Sequence, residues 1–180
     1  MTQQTDEQGR PEPPFAAGEA ETLLGFLAYH RATIAWKCGG VDAAGLALRW
    51  GRSEMTLGGL LCHLAYVEDD WTARGLAGRD RPEPWASVDW AVDEDADWHL
   101  AASMAPEEAL AFWRRSVERS DALLRQVLHE RGLDGSGSRT FADGRTPSVR
   151  WVLVHLVEEY ARHVGHADLL REEVDGLVGE

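Results

Sequence analysis

The sequence predicts an all-α fold, a four-helix bundle with one long crossover connection. Four long segments carry apolar residues at steps of three and four, and residues typical of helix ends bound them. A Pro-, Asp- and Trp-rich stretch separates the second segment from the third, which is the pattern of a bundle with a crossover. A more open all-helical fold is an alternative with the same periodicities. The 180 residues suit a single domain, residues 15–180, after a polar and Pro-rich flexible tail at residues 1–14.

The first two helices are predicted from their apolar residues and their ends. Helix one begins near Gly18, carries its apolar residues through Ile34 and ends near Gly39. Helix two follows a loop, with Thr56 as its N-cap, and stops within residues 75–78, where glycine recurs.

The long connection, residues 79–103, is too irregular for a continuous helix. We expect it to cross over and cover one end of the bundle.

The last two helices have clear signals at both ends. Helix three starts at Pro106, with glutamates in its first turn, and runs to about Arg131. Residues 139–145 favour a turn or a short hairpin. Helix four opens at residues 146–148 and continues to about Val174, where Gly176 closes it.

Composition and charge exclude several classes of function. The formal net charge is −13, so the phosphates of nucleic acids and anionic membranes would be repelled over most of the surface. No apolar run approaches the ~20 residues that a membrane span requires. The beginning of the chain lacks the pattern of an export signal. Cys38 and Cys62 stand singly, without CxxC spacing, which favours buried thiols in a reducing compartment. We therefore expect a cytoplasmic protein.

Three side chains form a candidate metal site. Glu159 and His163 lie four residues apart on helix four, so both leave the same face, close to its apolar stripe. His63 lies on the inward stripe of helix two. One imidazole from helix two and a Glu-x-x-x-His pair from helix four give three N/O ligands, which suits a catalytic divalent ion with an open position.

Other interpretations of these residues stay open. A single inward histidine is often a hydrogen-bonded core residue, and Glu-x-x-x-His is also a common surface ion pair. His155 and His166 lie near the same stripe and could replace a ligand. The remaining histidines are expected on exposed or loop positions: His30, His99 and His129.

The neighbours of His63 in sequence are given lesser roles. The acidic run of residues 68–70 is predicted to be a solvated face, with Glu68 as an alternative partner for an imidazole. Cys62 points about 100° away from His63 and is not expected to be a ligand. On helix four, Gly165 is interpreted as a site of close helix approach.

Two segments resemble a known family. Residues 56–68 (TLGGLLCHLAYVE) and 148–172 (SVRWVLVHLVEEYARHVGHADLLRE) are similar to the DinB-like superfamily. Within it, they resemble the actinobacterial branch related to mycothiol S-transferases and mycothiol-dependent maleylpyruvate isomerase. The resemblance extends over residues 18–176. It implies a four-helix bundle with a divalent metal, often zinc or nickel, held by His63 from helix two and by His163 and a second ligand from helix four. Many members have histidine where Glu159 stands, and Glu159 resembles the isomerase branch.

The resemblance also implies a function. The leading hypothesis is a metal-dependent thiol S-transferase that conjugates mycothiol to an electrophilic small molecule, as in detoxification, with Zn²⁺ or Ni²⁺ as the metal. Arg150 and Arg162 are candidates for binding the polar part of the thiol. One alternative is a mycothiol-dependent isomerase of an unsaturated diacid. Another is a non-catalytic, metal-binding, dimeric stress protein, since Trp-rich helix faces could form a homodimer.

Overall fold

The computed structural model describes residues 4–179, and this part of the chain is helical without any strand. The α-helices are α1 (Glu19–Cys38), α2 (Ala43–Leu46), α3 (Leu57–Asp69), α4 (Ala96–His99), α5 (Pro106–Arg131) and α6 (Val149–Asp175). A π-helical segment, Asp70–Ala77, continues α3, and a 3₁₀ turn, Leu100–Ser103, follows α4. The prediction of an all-α fold is confirmed. None of the described helices combines the length and the apolar character needed to cross a membrane.

The residues at the helix ends act largely as the sequence predicts. The Thr56 side chain accepts a hydrogen bond from the Gly59 amide at 2.9 Å, and Ser148 caps α6 through the Trp151 amide at 3.2 Å. Gly176 ends α6 with a φ of +79°, a left-handed conformation that glycine adopts without steric cost.

The second long helix extends to Gly78, as predicted, but its last part is not α-helical. Residues Asp70–Ala77 form a π-helix, in which each turn holds an additional residue. The periodicity of the sequence did not predict this change.

The long helices pack in two main pairs around one core. α1 packs mostly against α6, and α3 mostly against α5. α3 also packs against α6, and the pairs Trp71–Trp151 and His63–His163 show that these two helices are antiparallel. The interior is filled by aliphatic and aromatic side chains of all four, among them Leu27, Ile34, Leu60, Leu64, Phe112, Leu124, Leu153, Leu156 and Tyr160.

The long connection lies along the side of α3, so the prediction that it covers one end of the bundle is wrong. Trp85 is fully buried and donates to the Asp69 carboxylate at 3.0 Å. At the other end of α3, the absence of a side chain on Gly58 lets Ala101 approach closely. The connection therefore follows α3 over most of its length.

The acidic run at the end of α3 is buried, and the prediction of a solvated face is wrong. Glu68 binds the Arg31 guanidinium through both oxygens at 2.7 Å. Asp69 accepts a hydrogen bond from Ser116 on α5 at 2.9 Å. Asp70 pairs with Arg74 of its own π-helical segment and with Arg81 and Arg139 of later segments. Each carboxylate has partners that the helical pattern of α3 cannot show.

The segment before α1 packs onto that helix. Arg10 is buried, donates to Thr33 Oγ1 at 3.2 Å, and lies over the Tyr29 ring at 4.7 Å. Arg10 of the predicted flexible tail thus packs against α1, and the first three residues of that tail lie outside the described residues.

Candidate metal centre

The three predicted donors come together between α3 and α6. One ligand atom from each of His63, Glu159 and His163 lies within 4.8 Å of the others. Glu159 Oε2 is 3.5 Å from His163 Nε2 and 3.8 Å from His63 Nε2. A tetrahedral ion with bonds of about 2.0–2.1 Å separates its ligands by about 3.4 Å. These atoms are too far apart for good hydrogen bonds but close to the spacing of donors around one ion. The donor set therefore fits a divalent metal.

His63 is held in place by the long connection. Its Nδ1 is 2.7 Å from Asp97 Oδ2, which leaves Nε2 facing Glu159. The Trp98 indole stacks on the imidazole, with 4.3 Å between the ring centroids and 15° between the planes. A carboxylate behind a histidine is the usual partner that orients a metal ligand.

The two donors of α6 also have histidine neighbours. His163 Nδ1 is 3.3 Å from His166 Nδ1, so Nε2 of His163 is left for the site. His155 Nε2 is 3.6 Å from Glu159 Oε1, whereas His63 and His163 lie nearest the other oxygen, Oε2. His155 and His166 were the alternative ligands. His155 contacts Glu159 and His166 contacts His163, and neither belongs to the group of three donors that includes His63. His155 also belongs to a second group of donors, with Glu158 and Glu159.

The charges of the site favour the binding of a cation. The imidazoles of His163 and His63 keep the pKa of Glu159 well below its ordinary value, so this carboxylate is ionised. Burial disfavours the charged form of His63, but the hydrogen bond with Asp97 and the nearby carboxylate of Glu159 favour it, and the pKa of His63 is raised overall. Burial and the nearby His163 lower the pKa of His166. An anionic Glu159 between imidazoles suits a cation.

Cys62 is not part of the site, as predicted. Its thiol is free and buried, and burial raises its pKa to about 12. A thiol that resists ionisation is a poor metal ligand and a poor nucleophile. Cys38 is likewise free and buried, with a pKa raised to about 12 by burial.

Asp97 and Trp98 are the residues of the site that sequence reasoning missed. They lie more than thirty residues after His63, in a connection without helical periodicity. The only signal was the richness of that segment in Trp and Asp. The proposed alternative partner of an imidazole, Glu68, binds Arg31 instead.

The two arginines suggested for thiol binding already take part in ion pairs. Arg150 pairs with Glu19 and Asp134, and these interactions raise its pKa above its ordinary value. Arg162 is paired with Glu158 at 2.5 Å.

Two minor predictions about exposure and packing are corrected. His30 is half-buried, rather than exposed, whereas His99 and His129 are exposed as expected. Gly165 is exposed, and a Cβ atom there would meet no other group within 4 Å, so it permits no close helix approach.

The chain is similar to a known family and to two solved structures. A family model described as mycothiol-S-transferase matches residues 22–176. The crystal structure of a mycothiol-dependent maleylpyruvate isomerase superimposes with a TM-score of 0.61 at 18% identity, over 82% of this chain and 60% of that chain. A histidine-to-alanine mutant of such an isomerase superimposes with a TM-score of 0.63 at 16% identity, over 89% of this chain and 62% of that chain. The chain thus spans about three fifths of those proteins, and at this identity the likeness shows the fold alone. Among curated proteins, none matches.

Proposed function

Since the chain belongs to the mycothiol-S-transferase family, we propose that it is a metal-dependent thiol S-transferase that conjugates mycothiol to an electrophilic small molecule. The observation that carries the proposal is the convergence of His63, Glu159 and His163 on one point between α3 and α6. Three protein ligands leave a position for a substrate atom, which a structural site with four ligands would not.

Each residue of the site has a distinct role in this proposal. Zn²⁺ or Ni²⁺ bound to the three donors would supply a Lewis acid that lowers the pKa of a thiol. Asp97 holds His63 with its Nε2 toward the site, and Trp98 covers the ring of His63. Glu159 contributes the negative charge of the donor set.

The transfer itself is a substitution at carbon. The thiol loses its proton to solvent, and the resulting sulfur lone pair forms a C–S bond to the electrophile. With a haloaromatic substrate, the halide leaves with the electrons of the carbon–halogen bond. The products are the thioether, the halide and one proton, so no oxidant or reductant is required.

A second candidate function is the isomerisation of an unsaturated diacid. It is favoured by the cluster of Arg74, Arg81 and Arg139 around one carboxylate, that of Asp70. Three guanidinium groups around one carboxylate give this region a local net positive charge, although the protein as a whole is acidic. The region lies about two helical turns from His63. In this reaction the thiolate adds to the double bond, the new single bond rotates, and the thiolate leaves again without net change in composition.

A non-catalytic metal-binding protein is the third candidate. It would require a fourth protein ligand to close the site. The group of donors that includes His63 contains three members among the described residues, which favours an open position.

The test compares wild type, His63→Ala and His99→Ala after reconstitution with Zn²⁺ or Ni²⁺. His99 is an exposed histidine of the long connection and serves as the matched control. We expect about one ion per chain in wild type and His99→Ala, and loss of the ion in His63→Ala, by elemental analysis. Mycothiol consumption with 1-chloro-2,4-dinitrobenzene should follow the metal content.

Two results would contradict the proposal. Wild type that stays metal-free after reconstitution would exclude the metal centre. A loaded enzyme that consumes no mycothiol with haloaromatic electrophiles, but isomerises a cis-unsaturated diacid, would favour the second candidate.

A further inference from the structure

A second group of possible metal donors adjoins the candidate metal centre on α6. It consists of His155, Glu158 and Glu159, and one ligand atom of each lies within 4.8 Å of the others. The three residues stand at positions i, i+3 and i+4 of one helix, so their side chains leave α6 on the same side. Glu159 is also a member of the first group, with His63 and His163. The two groups therefore share one carboxylate.

The two oxygens of Glu159 lie near different imidazoles. Oε2 is 3.5 Å from His163 Nε2 and 3.8 Å from His63 Nε2, whereas Oε1 is 3.6 Å from His155 Nε2. Each oxygen of an ionised carboxylate has its own lone pairs, so one carboxylate can bind two cations. Glu159 can thus contribute Oε2 to the first centre and Oε1 to a second ion.

Glu158 likewise has one oxygen beside His155. Its Oε1 is paired with Arg162, and its Oε2 lies 3.3 Å from His155 Nδ1. The pair with Arg162 uses the other oxygen and is exposed to solvent, where such pairs are weak. Arg162 therefore leaves Oε2 of Glu158 for a cation.

The distances and the donor types suit a transition metal. The contacts of His155 with the two carboxylates, at 3.3 and 3.6 Å, are longer than the usual hydrogen bond of about 2.7–3.2 Å. They are close to the separation of about 3.4 Å between the ligands of one tetrahedral ion. An imidazole with two carboxylates suits Zn²⁺ or Ni²⁺, whereas Mg²⁺ and Ca²⁺ prefer oxygen ligands alone. The net charge of −13 also favours a cation over an anion.

Two indole rings hold the imidazole of this group in place. The His155 ring packs edge-on against Trp71 at 4.5 Å and stacks on Trp151 at 5.1 Å. Its orientation is therefore fixed by packing, and binding an ion costs less conformational entropy than it would for a mobile side chain.

We propose that His155, Glu158 and Glu159 bind a second divalent transition-metal ion, and that Glu159 bridges it to the ion of the first centre. The bridge rests on the proposed function, whereas the second ion itself requires only these three residues. All three come from one helix and Glu158 is exposed, so this site binds its ion more weakly than the first centre does. It fills while free metal is present, and the ion that remains after free metal is removed belongs to the first centre.

Calorimetric titration with Zn²⁺ tests this site in protein that already holds its first ion. Glu158→Gln removes a donor of the second group only, and Glu172→Gln, at another exposed glutamate of α6, is the matched control. His155→Phe is a second variant, which keeps an aromatic ring against the two indoles. We expect one further ion per chain in wild type and Glu172→Gln. The affinity for this ion should fall at least about tenfold in Glu158→Gln and His155→Phe, because losing a ligand should cost no less than losing the partner behind one.

The same titration of metal-free His63→Ala separates this inference from the proposed function. This variant lacks a donor of the first centre but retains all three residues of the second group. An ion that binds to His63→Ala, and is lost when Glu158→Gln is added, supports the second site even if wild type holds no ion at the first centre. A loaded wild type that binds no further ion, or equal affinities in Glu158→Gln and Glu172→Gln, would overturn the inference and leave the proposed function intact.

Discussion

At the scale of single residues, the candidate metal centre depends on which atoms the hydrogen bonds leave free. His63 uses Nδ1 to bind Asp97, and His163 has its Nδ1 beside His166. Both rings consequently present Nε2 to Glu159. Partners behind the ligands fix the tautomer and the orientation of each ring, which strengthens the donor set without adding a ligand.

Asp97→Asn should weaken metal binding while all three donors remain. Asparagine fills the same space but lacks the charge that holds the Nδ1 proton of His63, and changes of this kind lower metal affinity roughly 10- to 100-fold. Competition with a chromophoric chelator measures the affinity for Zn²⁺. The control is Glu94→Gln, on an exposed residue of the same connection. An affinity equal to that of the control would mean that Asp97 does not orient His63.

At the scale of elements, α3 organises the structure because its successive residues face different neighbours. Consecutive positions of a helix are about 100° apart. Glu68 therefore meets Arg31 of α1, and Asp69 meets α5. Asp70, the first residue of the π-helical segment that continues α3, meets arginines of the connections. His63, one to two turns earlier, meets α6 and the long connection.

The fit of the long connection onto α3 depends on a glycine. A Cβ atom on Gly59 would lie 3.1 Å from Trp98 Cε3 and 3.1 Å from Thr56 Oγ1, closer than such atoms normally approach. A larger residue at this position would force Trp98 to shift by a few tenths of an ångström from its stack on His63.

Gly59→Ala should therefore destabilise the protein, whereas Gly165→Ala should stabilise it. At the exposed Gly165, alanine meets no other group and gains about 1 kcal/mol of helix propensity. At Gly59, the same gain is outweighed by an overpacking cost of about 1–3 kcal/mol. Urea denaturation gives both free energies of unfolding. Equal stabilisation of the two variants would show that Trp98 does not pack against Gly59.

At the scale of the whole molecule, one buried polar network joins the four long helices. Arg31 of α1 binds Glu68 of α3 and, at 2.6 Å, Asp121 of α5. Tyr160 of α6 donates to Glu68 at 2.8 Å and accepts a hydrogen bond from Trp113 at 2.9 Å. Burial and the Glu68 charge raise the pKa of Tyr160, so its hydroxyl stays protonated as a donor. Because Tyr160 follows Glu159, the network also fixes the part of α6 that carries the metal donors.

Glu68→Ala should be strongly destabilising. The substitution leaves the Arg31 charge buried without its main partner, and breaking such a pair costs about 3–5 kcal/mol. Glu54→Ala is the control, because the Arg49–Glu54 pair is exposed and such pairs contribute about 0–1 kcal/mol. Both free energies of unfolding come from urea denaturation followed by circular dichroism. A loss below about 1 kcal/mol for Glu68→Ala would show that water compensates the Arg31 charge.

The sequence by itself determined the long helices and the three metal donors His63, Glu159 and His163. The helix ends at Thr56, Ser148 and Gly176 depend on local chemistry, so the sequence predicts them. The four-residue spacing of Glu159 and His163 places both on one face of a helix, so the sequence also predicts that they lie together.

Tertiary structure decided the surroundings of those donors. Whether the acidic run of α3 is solvated or buried depends on arginines in other segments, and a helical pattern does not contain them. Asp97 and Trp98 come from a connection without periodicity, and they reach His63 only because that connection packs along α3. Local residue chemistry fixes elements, whereas contacts between residues distant in sequence exist only once the chain has folded.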